Sequence, residues 1–146
     1  MSFDVSVQEI FSALGSGATL VQSRRQLVGQ EMVAFVREQG ITALGSSMML
    51  GAAKFGCAEA LLAELKTSQP DIYKYLSASI PRMYDKAYRW VAEMEEISDF
   101  HGSYRPAADI YAAIARHYEA LAAAEAETAP GPDNAIKVLD RVLGRK

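Results

Sequence analysis

The sequence has 146 residues, 50% of them apolar and 23% charged, which is typical of a single globular domain spanning residues 1–146. Its net charge of −3 argues against nucleic acid as a partner, because phosphate binding requires a basic surface. The longest uncharged run, residues 39–53, is too short to span a membrane, and no signal peptide is recognisable. The single cysteine, Cys57, is predicted to be a buried thiol in a reducing compartment, so we predict a soluble cytoplasmic protein.

The first half of the chain is dominated by one long helical pattern. Strand signals are almost absent and alanine is abundant, so we predict an all-α fold. A short N-terminal helix and a glycine turn lie within residues 1–25, and a long central helix is predicted over residues 19–55. A break of this helix near Gly40 is the alternative. Small residues recur along it at helical spacing, which predicts close approach by another helix: Gly40, Ala43, Ser47 and Gly51.

The second half is predicted to contain shorter helices, over residues 58–66, 71–79, 81–100 and 106–126. Proline stands at or beside the first turn of the last three, a position that tolerates it. Residues 129–146 form a proline-rich linker and a terminal amphipathic helix, capped by Asp133 or Asn134. Four residues are predicted on the inner face of the 106–126 helix: Ile110, Ala113, Ile114 and Leu121.

The helix predicted over residues 81–100 sorts cleanly into faces at 100° per residue. Glu93 is expected to face solvent and to pair with Lys86 or Arg89, on a side that also carries Glu96. An apolar stripe is predicted to face the core: Met83, Ala87, Trp90, Met94 and Ile97. The border between the two faces, where the wall of a ligand site would lie, carries Tyr84, Tyr88 and Glu95.

Residues 60–98, ALLAELKTSQPDIYKYLSASIPRMYDKAYRWVAEMEEIS, resemble the C-terminal helical domain of NAD(P)-dependent dehydrogenases of the 6-phosphogluconate and 3-hydroxyacid dehydrogenase superfamily. The resemblance extends more weakly over residues 27–122. It suggests a stand-alone relative of that domain, with a helical bundle like the 6-phosphogluconate dehydrogenase C-terminal domain around a long central helix. It also implies a homodimer in which this domain supplies half of a substrate site.

Three departures from the family argue against hydride transfer by this chain alone. The glycines at residues 15–17 lack the strand and the spacing of a dinucleotide-binding domain. The position of the family's catalytic lysine falls on Glu31, and the connection after EMEEI is shortened to residues 98–102. We therefore predict no NAD dependence and no cofactor.

Candidate catalytic residues come from the remodelled positions. Glu31 could act as a general base, because burial lifts the pKa of a carboxylate toward neutrality; a surface glutamate is the alternative. His101 is the residue of the shortened loop best suited to acid–base work, and Tyr104 and Arg105 could hold a carboxylate or phenolate. Trp90 could contact a substrate, although a place in the core is the simpler interpretation.

Tyr84, Tyr88 and Glu95 could form an aromatic pocket wall with one acid, the alternative being a half-buried helix border. His117 is predicted to be solvated. The two histidines have no companions at ligand spacing, so no metal site is predicted.

Two hypotheses of function follow. The first is a cofactor-independent lyase that cleaves a hydroxylated, aromatic small molecule by retro-aldol or elimination chemistry, for example with release of formaldehyde, in aromatic compound catabolism. Removal of a hydroxyl proton begins both hydride transfer and retro-aldol cleavage, and without a hydride acceptor it can expel an aldehyde. The second is a catalytically inactive dimerisation or ligand-binding module that partners a separate nucleotide-binding chain. Neither hypothesis involves nucleic acid or a membrane.

Overall fold

The structure, a computed structural model, describes residues 36–128 and 131–145, and within these ranges every regular element is helical. The predicted all-α bundle is confirmed. The N-terminal helix, Glu31 and the first part of the long helix lie outside the described residues. The elements are a π-helical turn (Val36–Ile41), α1 (Thr42–Lys54), α2 (Ala58–Ser68), α3 (Pro70–Met83), a 3-10 turn (Tyr84–Lys86), α4 (Ala87–His101), α5 (Arg105–Ala126) and α6 (Ala135–Val142).

The long helix passes through Gly40 without a break, since the π-helical turn leads directly into α1. Gly56 ends it as predicted, with a left-handed φ of 71° that glycine adopts without a Cβ clash. The Cys57 amide donates to the Ala52 carbonyl at 2.9 Å and the Gly56 amide to the Ala53 carbonyl at 3.1 Å, which satisfies two helix-end carbonyls. The prediction of a buried Cys57 is wrong: this connection lies at the surface, and the thiol is exposed.

The start predicted at Pro81 is also wrong. Proline lies inside the last turn of α3, where its missing N–H removes only one helical bond, and the helix continues to Met83. A 3-10 turn then separates α3 from α4. The segment predicted as one helix over residues 81–100 therefore changes its helical phase between Met83 and Ala87.

The apolar stripe nevertheless lies in the core as predicted, and α4 packs mainly along α5. The Trp90 ring contacts Tyr118 edge-on, with centroids 5.2 Å apart. On α5, Ile114 and Leu121 are buried as expected, but Ile110 and Ala113 are exposed. The inner face of α5 is rotated from the predicted one and includes instead Ala108, Ala115 and Tyr118.

The close approach of a second helix to α1 occurs at Gly45, against Leu76 of α3. Of the predicted small-residue stripe only Ala43 is buried, while Ser47 is exposed. The buried face of α1 instead includes Met49, which is fully enclosed, so this larger apolar side chain shares the core face with glycine and alanine.

The last helix covers one end of the core through Ile136 and Leu139, both buried. Asn134, one of the two predicted caps, accepts hydrogen bonds from the Ile136 amide at 3.0 Å and the Lys137 amide at 3.3 Å. Its side-chain amide also donates to the Ala124 carbonyl at 2.8 Å, which ties the start of α6 to the end of α5. In the described ranges no helix is long and apolar enough to cross a membrane.

Candidate functional site

A basic pocket of about 300 Å³ lies where the π-helical turn meets α3 and the start of α4. Pockets of this size accommodate a small organic molecule. The π-helical turn contributes two charged residues, α3 contributes one face, and the aromatic floor comes from α4. The pocket is lined by Arg37, Glu38, Tyr75, Ser79, Arg82, Lys86 and Trp90.

The pocket carries more positive than negative charge, with three cations and one carboxylate. Lys86 Nζ lies 3.7 Å from Glu38 Oε1, so this cation is partly compensated. The Arg37 guanidinium lies over the Tyr75 ring, 5.1 Å from its centroid, in a cation–π contact. Arg82 has no acidic side chain within salt-bridge distance in the part of the chain that the structure describes. The sequence analysis missed this site, although Tyr75, Ser79 and Arg82 recur at helical spacing.

A buried polar cluster lies next to the pocket, in the core. Gln39, in the π-helical turn, donates from its side chain to Glu93, and the Tyr118 hydroxyl donates to the Gln39 backbone carbonyl. Glu93 is only 7% exposed, so its predicted place on a solvent face is wrong. It lies three residues after Trp90 and one before Met94, at the edge of the apolar stripe, and this spacing was the available signal for its burial.

His117 is also placed differently from the prediction: it is partly buried, and its Nε2 lies 2.8 Å from Ser46 Oγ. Because the Ser46 hydroxyl donates its one proton to the Ala43 carbonyl at 3.0 Å, the His117 N–H is the donor in this contact. The serine proton is therefore not directed at the histidine, and the pair does not have the arrangement of a nucleophile and its base.

Burial lowers the pKa of His117 below the usual 6.5, because the charged imidazolium is poorly solvated there. The unfolded chain then binds the proton more tightly, so the contribution of His117 to stability is complete above about pH 6.5 and is lost as the pH falls below it. We expect the free energy of unfolding to fall less steeply between pH 7 and pH 5 in His117→Gln than in the wild-type protein. Urea titrations followed by circular dichroism would measure it, with His101→Gln as control; equal slopes for His117→Gln and wild type would contradict it.

The predicted wall of two tyrosines and one acid is not assembled, because its three members have different surroundings. The Tyr84 hydroxyl donates to Asp140 of α6 at 3.0 Å, and burial together with this carboxylate raises the pKa of Tyr84. Tyr88 is exposed. Glu95 lines a separate cavity of about 360 Å³ between α4 and α5. As catalytic residues all three remain predictions.

Residues 98–101 of the predicted shortened loop are helical, so His101 is the last residue of α4 and the connection to α5 is residues 102–104. The His101 ring stacks on Tyr111, with centroids 5.4 Å apart and ring planes 10° apart. Tyr104 is exposed, and Arg105 pairs with Asp109 one turn later on α5. These contacts leave His101 partly accessible, and its role as a base remains a prediction, as do those of Tyr104 and Arg105. Trp90 packs in the core and also lines the basic pocket, whereas its contact with a substrate remains a prediction.

A second surface of interest is the outer face of α1. Ile41, Leu44 and Met48, spaced three and four residues apart, are all exposed, and Phe55 beyond the helix end is 81% exposed. We call Ile41, Leu44 and Met48 the outer α1 stripe. Contiguous exposed apolar side chains on one helix face are typical of protein interaction surfaces.

Residues 52–121 match the model of a family described as a domain of unknown function (DUF1932). No curated protein and no solved structure matches the chain significantly. DUF1932 is the C-terminal helical domain found in 6-phosphogluconate/3-hydroxyacid dehydrogenase-like proteins. The family match begins within α1 and ends within α5, so it contains most of the bundle but not the π-helical turn or α6. The resemblance recognised in the sequence is thus confirmed: this chain is a relative of the C-terminal helical domain of 6-phosphogluconate/3-hydroxyacid dehydrogenase-like proteins.

Proposed function

We propose that this chain is a ligand-binding module that dimerises with a second copy of itself through the outer α1 stripe. The observation that carries the proposal is the row of exposed apolar side chains on α1, of which Leu44 is 62% exposed. Burial of such a row against an identical row removes apolar surface from water on both subunits at about 25 cal/mol per Å².

The family resemblance supports the same partner, because it implies a homodimer built around the long central helix. No charged side chain lies between Ile41 and Met48, so two stripes can meet without burying a charge. The alternative partner is a separate nucleotide-binding chain, which would use the same apolar surface.

Charge reversal of the stripe tests the proposal. We expect wild-type protein to sediment as a dimer and Leu44→Glu to shift the dimer dissociation constant upward by at least about tenfold, since a carboxylate would have to be desolvated in the interface. Ile110→Glu is the matched control, because Ile110 is 57% exposed on α5. Analytical ultracentrifugation over a concentration series measures both.

Three outcomes would count against the dimer. A wild-type monomer at all concentrations would overturn it directly. A dimer that Leu44→Glu and Ile110→Glu weaken equally would place the interface elsewhere. If Leu44→Glu destabilises a monomer, the stripe is covered by the chain itself.

The basic pocket favours a second candidate, the cofactor-independent lyase. Its size and its aromatic walls suit a small aromatic molecule, although none of the candidate catalytic residues is among its described lining residues. In the proposed reaction Glu31 or His101 takes the proton from the substrate hydroxyl as the neighbouring carbon–carbon bond breaks. The hydroxyl carbon leaves as an aldehyde, and the bond's electron pair passes to the adjacent carbon. In a 3-hydroxy acid the carboxyl group stabilises this pair, and a tyrosine such as Tyr84, Tyr88 or Tyr104 reprotonates the carbon. In a 1,3-diol the pair forms a carbon–carbon double bond and expels the second hydroxyl group, which such a tyrosine protonates to water.

The lyase proposal is tested by measuring aldehyde release from the purified protein in the absence of any added cofactor. We expect release from aromatic 3-hydroxy acids or 1,3-diols that is independent of NAD and falls at least about tenfold in Glu31→Gln or His101→Ala. Glu127→Gln serves as a control because Glu127 follows the end of α5 and lies outside the basic pocket. No release from any compound of the panel by folded protein would rule out the lyase and leave the binding module.

A further inference from the structure

We propose that the basic pocket binds a small organic anion, an aromatic ring bearing a carboxylate or a phosphate. This site uses residues of the π-helical turn, α3 and α4 rather than the outer α1 stripe, so the inference goes beyond the proposed dimer and does not depend on it.

The charged side chains of the pocket indicate that the ligand carries an anionic group. The chain as a whole is acidic, yet the pocket has two guanidinium groups, of which Arg82 lacks an acidic partner in the described part of the chain. A guanidinium binds carboxylate or phosphate oxygens through paired N–H donors, a geometry that lysine does not offer. Glu38 reduces the positive charge but is engaged with Lys86.

The Ser79 hydroxyl is an independent observation that points to a ligand. The residue is only 5% exposed and lines the pocket, yet its Oγ has no hydrogen-bond partner among the described residues. Buried hydroxyls are ordinarily hydrogen-bonded, so one that is unpartnered at a pocket wall is explained by a group that binds there. Ser79 is one turn before Arg82 on α3, so both can reach the same oxygen atoms of an anion.

The aromatic side chains of the pocket walls indicate that the ligand also carries an aromatic ring. Tyr75 and Trp90 both line the pocket, and the Arg37 contact holds the Tyr75 ring in place. Planar apolar groups pack well against aromatic side chains, with ring centroids about 4.5–7 Å apart. An aromatic acid would therefore place its ring between these walls and its charge toward Arg82 and Ser79.

Fluorescence titration of the full chain tests this directly, because Trp90 is the only tryptophan in the sequence and lies in the pocket. The probes are benzoate and phenyl phosphate, with benzyl alcohol as the neutral ring and inorganic phosphate as the bare head. We expect a saturable change with benzoate or phenyl phosphate, and at least about tenfold weaker binding of benzyl alcohol and of inorganic phosphate. Whichever aromatic anion binds more tightly identifies the head group.

Variants separate binding from folding. Arg82→Gln should weaken the preferred anion at least about fivefold, whereas Arg116→Gln, on exposed α5 surface, should change it less than about twofold. Ser79→Ala should weaken binding while leaving the thermal midpoint unchanged or raised, since the lost hydroxyl has no partner in the part of the chain that the structure describes. If Ser79 had only a structural role, Ser79→Ala would lower the thermal midpoint and leave the affinity for the anion unaltered.

Three results would overturn the inference: no saturable signal with either aromatic anion up to about 10 mM, benzyl alcohol binding as tightly as benzoate, or equal losses in Arg82→Gln and Arg116→Gln. Because none of these measurements requires turnover or dimerisation, failure of the lyase or of the dimer leaves them interpretable.

Discussion

Trp90→Ala is expected to lower the free energy of unfolding by about 3–5 kcal/mol, the range for truncating a buried aromatic side chain to alanine. Trp90 is 5% exposed and its ring meets Tyr118 edge-on in the core between α4 and α5. Alanine would remove these contacts and leave a cavity that the helix backbones cannot close. Since small domains are stable by about 5–15 kcal/mol, this one change approaches the whole margin.

Urea unfolding followed by far-ultraviolet circular dichroism measures the loss, because the variant has no tryptophan to report fluorescence. Wild type and variants should be compared at one protein concentration, since a dimer gains stability with concentration. Tyr88→Ala is the control on the same helix: Tyr88 is 66% exposed, and we expect a change below about 0.5 kcal/mol. A similar loss in both variants would contradict the placement of Trp90 in the core.

Gly45→Val is expected to cost about 2 kcal/mol, although valine has the higher helix propensity. A Cβ at Gly45 would lie 2.8 Å from Cδ1 of Leu76 and closer still to its Cδ2. Leu76 is itself fully enclosed and has little room to move, so α1 and α3 would have to separate. A glycine is therefore required at position 45 because α3 approaches closely there, and not because of the backbone conformation of α1.

Gly51→Val in the same helix is the matched control, because a Cβ there meets nothing within 4 Å. We expect this variant to differ from wild type by less than about 0.5 kcal/mol, measured by the same urea titrations. A double-mutant cycle locates the clash: Leu76→Ala should cost less in the Gly45→Val background than alone. Independent, additive effects of the two changes would show that Leu76 does not confine position 45.

Much of the fold was predictable because helix signals are local. Gly56 ended the long helix where predicted, the turn at residues 101–103 precedes α5, and Asn134 caps α6. The helix start predicted at Pro81 was wrong, although proline often begins a helix. Here Pro81 lies near the end of α3, where its missing N–H removes only one helical hydrogen bond.

The candidate site was predicted much less well. The tyrosine and acid wall was predicted from one helix face alone, whereas Tyr84 bonds to Asp140 of α6 and Tyr88 is exposed to solvent. Of the residues that line the basic pocket, only Trp90 had been predicted as a site residue. Arg37 and Ser79 are far apart in sequence and carry no local sign that they meet.

The sequence by itself determined the all-α class, the apolar stripe of α4 and the relationship to a dehydrogenase C-terminal domain, because each depends on spacing within a short segment. Which side chains of different helices become neighbours was decided only by the tertiary structure. It placed Glu93 beside Gln39, His117 beside Ser46, and Arg37 over the Tyr75 ring. The physical reason is that periodicity orients a side chain about its own helix axis, whereas the packing of other helices determines whether that direction leads to solvent, core or a ligand.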